Sequence, residues 1–471
     1  MTSVDQTRRT GGAAPAQRSR KSAADHSRVQ AALGWTALAL VAWALLRNGG
    51  YAPLIWLVMC LGTLGLFAVQ VALDVRTGLP RQARTALWVS LPFFGVVVWV
   101  LAQGMPGLPA GWAHPVWAAA PEGSVPAISV HPDAGRPVAL RFTCYAMLFW
   151  ILLRTAAAAR NGAHVYIQAI ALFSTALALY GMVSLAIGYN WLLAAGEDAV
   201  GLRASLWNRN TYATVAVFGI LANVTAYLQA VSGSVSRDGL AGLRDFLETF
   251  FSRAWVFAFG ALVLLAALTM TLSRGGAVSG LIGVLVLIWG LRSGAGKVSL
   301  RATAIPVALF AFVVLFMTSG VLDRLGNIGI EGRPEIYRQV WAGVLDRPLL
   351  GHGAGTFVDS FSPYVPLSQG ILVWDRAHNS YLENAFEFGL PAAGVLFLTL
   401  GLIGGRLLQG VRTRKRYQST PAFALACFAA AAVHAMVDFS LQVPAVAALF
   451  AAILGIGWGQ SFPTRRKSDE A

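Results

Sequence analysis

The sequence predicts an all-α, polytopic membrane protein with about twelve transmembrane helices and a large loop on one side. Three observations predict it. Of the 471 residues, 56% are hydrophobic and 12% charged, and the mean hydropathy is +0.61. A soluble domain carries about 25% charged residues. The apolar residues also gather into runs of about 20, the length that crosses a hydrocarbon core.

Residues 1–30 are polar and rich in Arg, Ser and Ala, and are expected to form a disordered cytoplasmic N-terminus. No small-residue cleavage site precedes the first apolar run, so a cleaved signal peptide is not expected. Candidate spans lie at 31–47, 53–73, 85–104, 138–156, 163–188, 211–231, 254–273, 275–292, 302–320, 380–405, 419–437 and 441–460. The pair over 254–292 reads equally as one helical hairpin bent at Ser273-Arg274-Gly275-Gly276. The chain thus divides into N-terminal transmembrane helices (31–200), a core (201–445) with a long loop (321–379), and the end of the last helix with a basic tail (446–471). No internal repeat is evident, which weakens an inverted-repeat transporter reading.

Orientation follows from the basic residues. With an inside N-terminus, 25 of the 36 lysines and arginines fall in inside segments, all four lysines among them. This satisfies the positive-inside rule and puts both termini in the cytoplasm. It also accounts for the net charge of +15 without nucleic acid. The three cysteines, Cys60, Cys144 and Cys427, are scattered through apolar stretches and form neither a disulfide framework nor a metal cluster.

The basic residues left outside are all arginines. Arg203, Arg209, Arg274, Arg333, Arg338 and Arg376 stand in segments that are also rich in Asn, Gly and Tyr. Arginine at membrane depth is costly and points to function by default. Its planar fork matches phosphate oxygens in pairs, so this face is expected to bind an anion. The bland alternatives are pairing with Glu331, Glu335, Asp346 or Asp375, or snorkelling to headgroups.

The 321–379 loop contains one helix, Pro334 to Leu345, with an apolar stripe at Ile336, Val340 and Val344. It reads as an amphipathic helix lying on the membrane or over a cavity. Gly351-His352-Gly353-Ala354-Gly355 neither follows a strand nor opens a helix of a βαβ unit, so it reads as a tight turn and not a nucleotide site.

The loop ends in Asp375-Arg376-Ala377-His378-Asn379-Ser380-Tyr381-Leu382-Glu383-Asn384. Histidine exchanges a proton near neutrality without tuning, so His378 is the candidate chemical centre. The competing reading is a helix N-terminus capped by Asn and Ser. His352, His378, His434, Glu383 and Asp438 were weighed as metal ligands. They show no spacing such as His-Glu-x-x-His, so no metal is expected. His434 and Asp438, four apart, would share a helix face and a hydrogen bond.

These residues carry a resemblance. Leu202-Arg203 through Asn208-Arg209-Asn210-Thr211-Tyr212-Ala213, Thr271-Leu272-Ser273-Arg274-Gly275-Gly276 and Gly332-Arg333-Pro334 through Pro348-Leu349-Leu350-Gly351 resemble signatures of the O-antigen ligase and polymerase family. Ala377-His378-Asn379-Ser380-Tyr381-Leu382 is the most specific match, and His434 through Asp438-Phe439 also fits. The resemblance covers roughly 200–445. Where relatives often have a glycine between Arg203 and Asn210, this chain has Leu206-Trp207, which leaves open whether Arg203 or Arg209 meets phosphate.

The resemblance implies a multi-helix bundle of the polyprenyl-donor glycosyltransferase type in the bacterial inner membrane, working at the periplasmic side. The donor would be a glycan on undecaprenyl diphosphate. The acceptor would be lipid A core, another lipid-linked repeat or a different hydroxyl, such as one on a protein. No metal, nucleotide sugar or other cofactor is implied. In that chemistry His378 takes the acceptor proton. Arg274 and Arg203 (or Arg209) stabilise the lipid diphosphate that leaves. Asn210, Arg333, Arg338, Arg376, Asn379, His434 and Asp438 support them. Direct displacement would invert the anomeric carbon. A transporter or flippase of lipid-linked saccharide is the alternative. It too would use arginines, but would not need His378, and would tend to show helices broken at mid-bilayer. A purely structural membrane scaffold leaves the outside arginines unexplained.

Overall fold

A computed structural model of the protein describes residues 13–107, 109–159, 162–196, 200–231, 251, 254–293, 308, 310, 311, 333–366, 374–414 and 416–463. These form an all-α membrane bundle, with one two-residue antiparallel pairing of Tyr189–Asn190 and Ala195–Gly196. In chain order the helices are α1 (Ala13–Leu46), α2 (Pro53–Thr77), α3 (Arg81–Ala102), α4 (Gly135–Ala158) and α5 (His164–Ile187). There follow α6 (Arg209–Val231), α7 (Trp255–Met270), α8 (Arg274–Arg292), α9 (Arg333–Asp346) and α10 (Phe357–Phe361). The last are α11 (Ser380–Phe388), α12 (Leu390–Thr413), α13 (Ser419–His434) and α14 (Pro444–Gly459).

Among the described residues, eight helices are long and apolar enough to cross a membrane, and α7, α13 and α14 are shorter apolar helices of 16 residues each. Among the described residues the expected count of about twelve is not reached. The span expected at 302–320 lies outside the described residues, save 308, 310 and 311. The expected span 380–405 is two helices. Gly389 (φ 80°) separates α11 from α12, and the Leu390 N–H is turned aside to the Pro348 carbonyl at 2.7 Å. Pro391 then sits in the first turn of α12, where its missing N–H costs nothing. The nine-residue α11 is only about 13 Å long, too short to cross a bilayer. At the other end of the chain, α1 runs back to Ala13, into the segment expected to lack order. Its Ala, Arg, Lys and Gln content has good helix propensity.

The centre of the bundle is α6 with α14, both buried along nearly their whole length. α14 packs on α4 and α13, α13 on α8, and α6 on α5, α7 and α8. At one end, Asp74 of α2 is buried with Arg154 of α4 at 2.7 Å and also accepts from Gln70 and the Trp150 indole. An ion pair sealed from water needs such extra partners.

The opposite end carries the loops. The stripe Ile336, Val340 and Val344 of α9 is fully buried, in one cluster with Phe357, Phe361 and Phe386. It therefore packs on α11 and the α10 segment instead of lying free on a membrane surface. The Gly351–Gly355 turn lies against α11. Gly351 and Gly353 both have positive φ, and a Cβ on either would stand 2.3 Å from the Glu387 carbonyl and 2.2 Å from Ser129 Oγ. Only glycine fits there. The 105–137 segment docks on the same turn: Val130 N–H donates to the His352 carbonyl (3.0 Å), and Arg347 donates to the Trp112 and Ala113 carbonyls.

Candidate active site

Three helix N-termini meet on one turn. Asn208 caps α6, accepting the N–H groups of Asn210 (2.7 Å) and Thr211 (3.2 Å). Ser273 caps α8, accepting Gly276 N–H at 3.1 Å. Asn379 caps α11, accepting Tyr381 N–H (3.0 Å) and Leu382 N–H (3.1 Å). Asn and Ser are the residue types that satisfy these orphan donors. The capping reading of Asn379 is thus correct, and it does not displace His378, which stands one residue earlier.

The shared turn is His434–Ser440, between α13 and α14. From α6, Thr214 Oγ1 lies 2.7 Å from His434 Nδ1, and the Asn210 carbonyl lies 3.5 Å from Ser440 Oγ. From α8, Gly275 comes so close that a Cβ there would stand 2.8 Å from Val437 Cγ2 and 3.2 Å from His434 Cδ2. From α11, Ser380 donates its N–H to the Ala435 carbonyl (2.8 Å) and its hydroxyl to the Asp438 carbonyl (3.0 Å). The Arg203 loop joins from the side, where Leu202 N–H donates to the Met270 carbonyl at 2.8 Å, just before Ser273.

His378 is half-buried, with its ring 5.0 Å from Phe439 and 6.4 Å from Trp374, centroid to centroid. Its carbonyl accepts from the Tyr337 hydroxyl at 3.0 Å. His378 (φ 53°), Leu272 (φ 56°) and Ala204 (φ 49°) are left-handed residues without glycine's freedom, and each lies at or beside His378, Arg274 or Arg203. Such conformations cost about 1–2 kcal/mol apiece and gather at functional sites.

Arg203 is buried, donates to the Gly196 carbonyl (3.1 Å) and lies 5.3 Å over the Trp207 ring. Arg209, half-buried, donates to the Val200 carbonyl (2.9 Å). Arg274 is half-buried at the first position of α8. Arg338 is exposed and paired with Glu335 at 2.5 Å, as the bland reading of that arginine expected. Arg333 opens α9. Arg376 turns instead to Glu383 (3.3 Å), which is 2% exposed. The expected His434–Asp438 pairing on one helix face does not arise in that form, because α13 ends at His434. His434 Nδ1 meets Thr214, and the buried Asp438 carboxylate accepts from the Ser440 hydroxyl.

Beside this turn lies a cavity of about 320 Å³, walled by aromatic side chains of α3, α4, α11, α12, α13 and α14. Its lining includes the polar residues Arg141, Arg376, Glu383, Asn384, Glu387 and Gln442. Burial pushes the Glu387 carboxyl up to about 7, with the neighbouring Glu383 adding to the rise. Arg141, Glu387 and Thr214 are not among the residues expected from the sequence, and Glu383 is there only as a candidate metal ligand. The available signal was an acid buried beside apolar spans. Among the described residues, no group of three or more His, Cys, Asp or Glu is placed to hold a metal.

Residues 259–398 match the family model described as O-antigen ligase. The match covers under a third of the chain and supports an O-antigen ligase or polymerase family. A comparison with curated proteins gives no match. The matched segment holds Arg274, Arg333, Arg338, Arg376 and His378, while Arg203, Arg209, Asn210, His434 and Asp438 lie outside it. It is narrower than the 200–445 resemblance, yet the fold brings α8 and α11 from inside it and α6 from outside it to one turn. The O-antigen ligase family supports a ligase- or polymerase-like membrane glycosyltransferase with a lipid-linked glycan and an acceptor as partners in general.

Proposed function

We propose that the protein transfers a glycan from undecaprenyl diphosphate to an acceptor hydroxyl at the periplasmic face of the inner membrane. The observation that carries this reading is the meeting of three capped helix N-termini, with Arg203, Arg209, Arg274 and His378 on or beside them, around His434–Ser440. Helix N-termini and guanidinium groups both favour a phosphate.

In the reaction, the acceptor oxygen attacks the anomeric carbon while the bond from that carbon to the phosphate oxygen breaks. The hydroxyl proton passes to His378. The lipid diphosphate leaves with the bonding pair, its growing charge met by the arginines. A single displacement inverts the anomeric centre, and the arginines need no metal beside them. The apolar walls of the cavity suit the hydrocarbon part of a lipid-borne substrate.

The test is His378→Ala in purified, reconstituted protein given a lipid-linked glycan. Transfer is expected to fall at least about 100-fold while donor binding persists. Glutamine should not rescue it, since an amide cannot take the proton. Near-normal transfer by His378→Ala would overturn the assignment.

A further inference from the structure

We propose that Glu383 is the positioning residue for His378; the inference rests on the function proposed above. Glu383 sits on the first turn of α11 and is 2% exposed. Its Oε2 accepts the Ala377 N–H at 2.8 Å, and its Oε1 accepts from Arg376 Nη1 at 3.3 Å. One carboxylate therefore holds the two residues that precede His378. The residue after it, Asn379, is fixed as the α11 cap, and the His378 carbonyl is held by Tyr337. The left-handed φ of His378 makes the clamp necessary. An L-residue leaves that conformation readily unless its neighbours over-determine it.

A plain loop clamp would need only an acceptor for Ala377 N–H, which an amide supplies. The carboxylate adds a charge, and that charge holds the Arg376 guanidinium in the lining of the cavity. Burial raises the Glu383 pKa, and Arg376 and the Ala377 N–H oppose that rise. Glu383 thus couples the orientation of His378 to the placement of a cation in the cavity wall. The charge was legible in the sequence, but the partners were not.

The experiment uses the full chain reconstituted in lipid, with kcat and donor KM measured per folded molecule. Glu383→Ala should lower kcat about 10- to 100-fold, the cost of a catalytic group misplaced by about an ångström, with donor KM within about threefold of wild type. Glu383→Gln keeps the acceptor for Ala377 and should recover part of the lost kcat. In a His378→Ala background, Glu383→Ala should cost almost nothing more, because two residues acting as a unit are not additive. Normal kcat in Glu383→Ala, with His378→Ala inactive, would overturn the positioning role and leave the proposed function standing. Equal additional losses from Glu383→Ala in both backgrounds would also overturn it. Activity in His378→Ala alone would instead overturn the function. Should Glu383→Ala fail to fold, Glu383→Gln carries the same kcat and double-mutant comparison.

Discussion

Thr214 and His434 meet at 2.7 Å and tie the N-terminal part of α6 to the end of α13, directly behind Gly275 of α8. This contact joins a residue outside the O-antigen ligase match to the turn that supports Arg274, and it makes the site one unit. Thr214→Val should break the tie and strand a buried ring nitrogen, lowering stability by about 1–3 kcal/mol. Thermal unfolding of the two proteins in detergent measures the loss. An unchanged unfolding midpoint would mean that the contact carries no weight.

Gly275 has no room for a side chain, since a Cβ would meet Val437 and the His434 ring. Gly275→Ala is expected to push the His434–Ser440 turn outward and cut transfer about 10-fold or more, with membrane protein level preserved. Transfer per molecule, measured beside the level, separates displacement of the site from failure to fold. Wild-type turnover in Gly275→Ala would show that the turn yields freely.

Arg274 opens α8 beside that glycine. Lysine keeps the charge and loses the planar fork. Arg274→Lys is expected to lose most transfer and Arg274→Ala nearly all, with weaker donor binding in both. One lost bond to a charged group is worth about 1.5–3 kcal/mol, roughly 10- to 150-fold. Full normalised activity in Arg274→Lys would remove Arg274 from the site. In the same assay transfer should survive EDTA; activity lost to chelator and restored by a divalent ion would overturn the arginine-only account.

His352 Nε2 donates to the Gly343 carbonyl (2.9 Å), so its Nδ1 accepts from His114 Nε2 (3.0 Å), and His114 Nδ1 accepts Val116 N–H (3.2 Å). Both rings are neutral in this chain of bonds. Burial, with His352 and Arg347 nearby, pushes His114 down to about 4, and burial also lowers His352. A depressed basic group binds fewer protons in the folded state. Its stabilisation is therefore present above about pH 6.5 and is lost as pH falls toward 4. Glu387 has the opposite sign: raised to about 7, it gives stability that is lost as pH rises from about 4.5 to 7. The difference in unfolding midpoint between wild type and His114→Gln isolates the first effect. That difference should shrink between pH 6.5 and 4; a constant difference would refute the linkage.

The proposed orientation puts Val125, before α4, and Val358, in α10, on the periplasmic side. Val125 and Val358 are exposed there, at 58% and 44%. Cysteine placed at either position should react with an impermeant thiol reagent once the outer membrane alone is opened. Reaction only after the inner membrane is breached would reverse the orientation.

The sequence by itself determined the local features. Apolar runs gave the spans, and the 3.6-residue period gave the buried face of α9 through Ile336, Val340 and Val344. Asn379 and Ser380 before an apolar run gave the capped end beside His378, whereas the caps Asn208 and Ser273 appeared only in the structure. These depend on neighbours within a turn or two, so the chain order contains them. Even the break at Gly389 was written as Gly389-Leu390-Pro391, although the surrounding apolar residues concealed it. Only the tertiary structure decided which loops share a space. Arg376 took Glu383 rather than Asp375, and His352 became the seat of the 105–137 segment rather than a ligand. His434 and Asp438, equally spaced for one helix face, were parted by the end of α13. Thr214 reaches His434, and His114 reaches His352, across more than two hundred residues. No period or propensity encodes such pairs, because they exist only once the helices have packed and a buried polar group must take whichever partner the packing brings within reach.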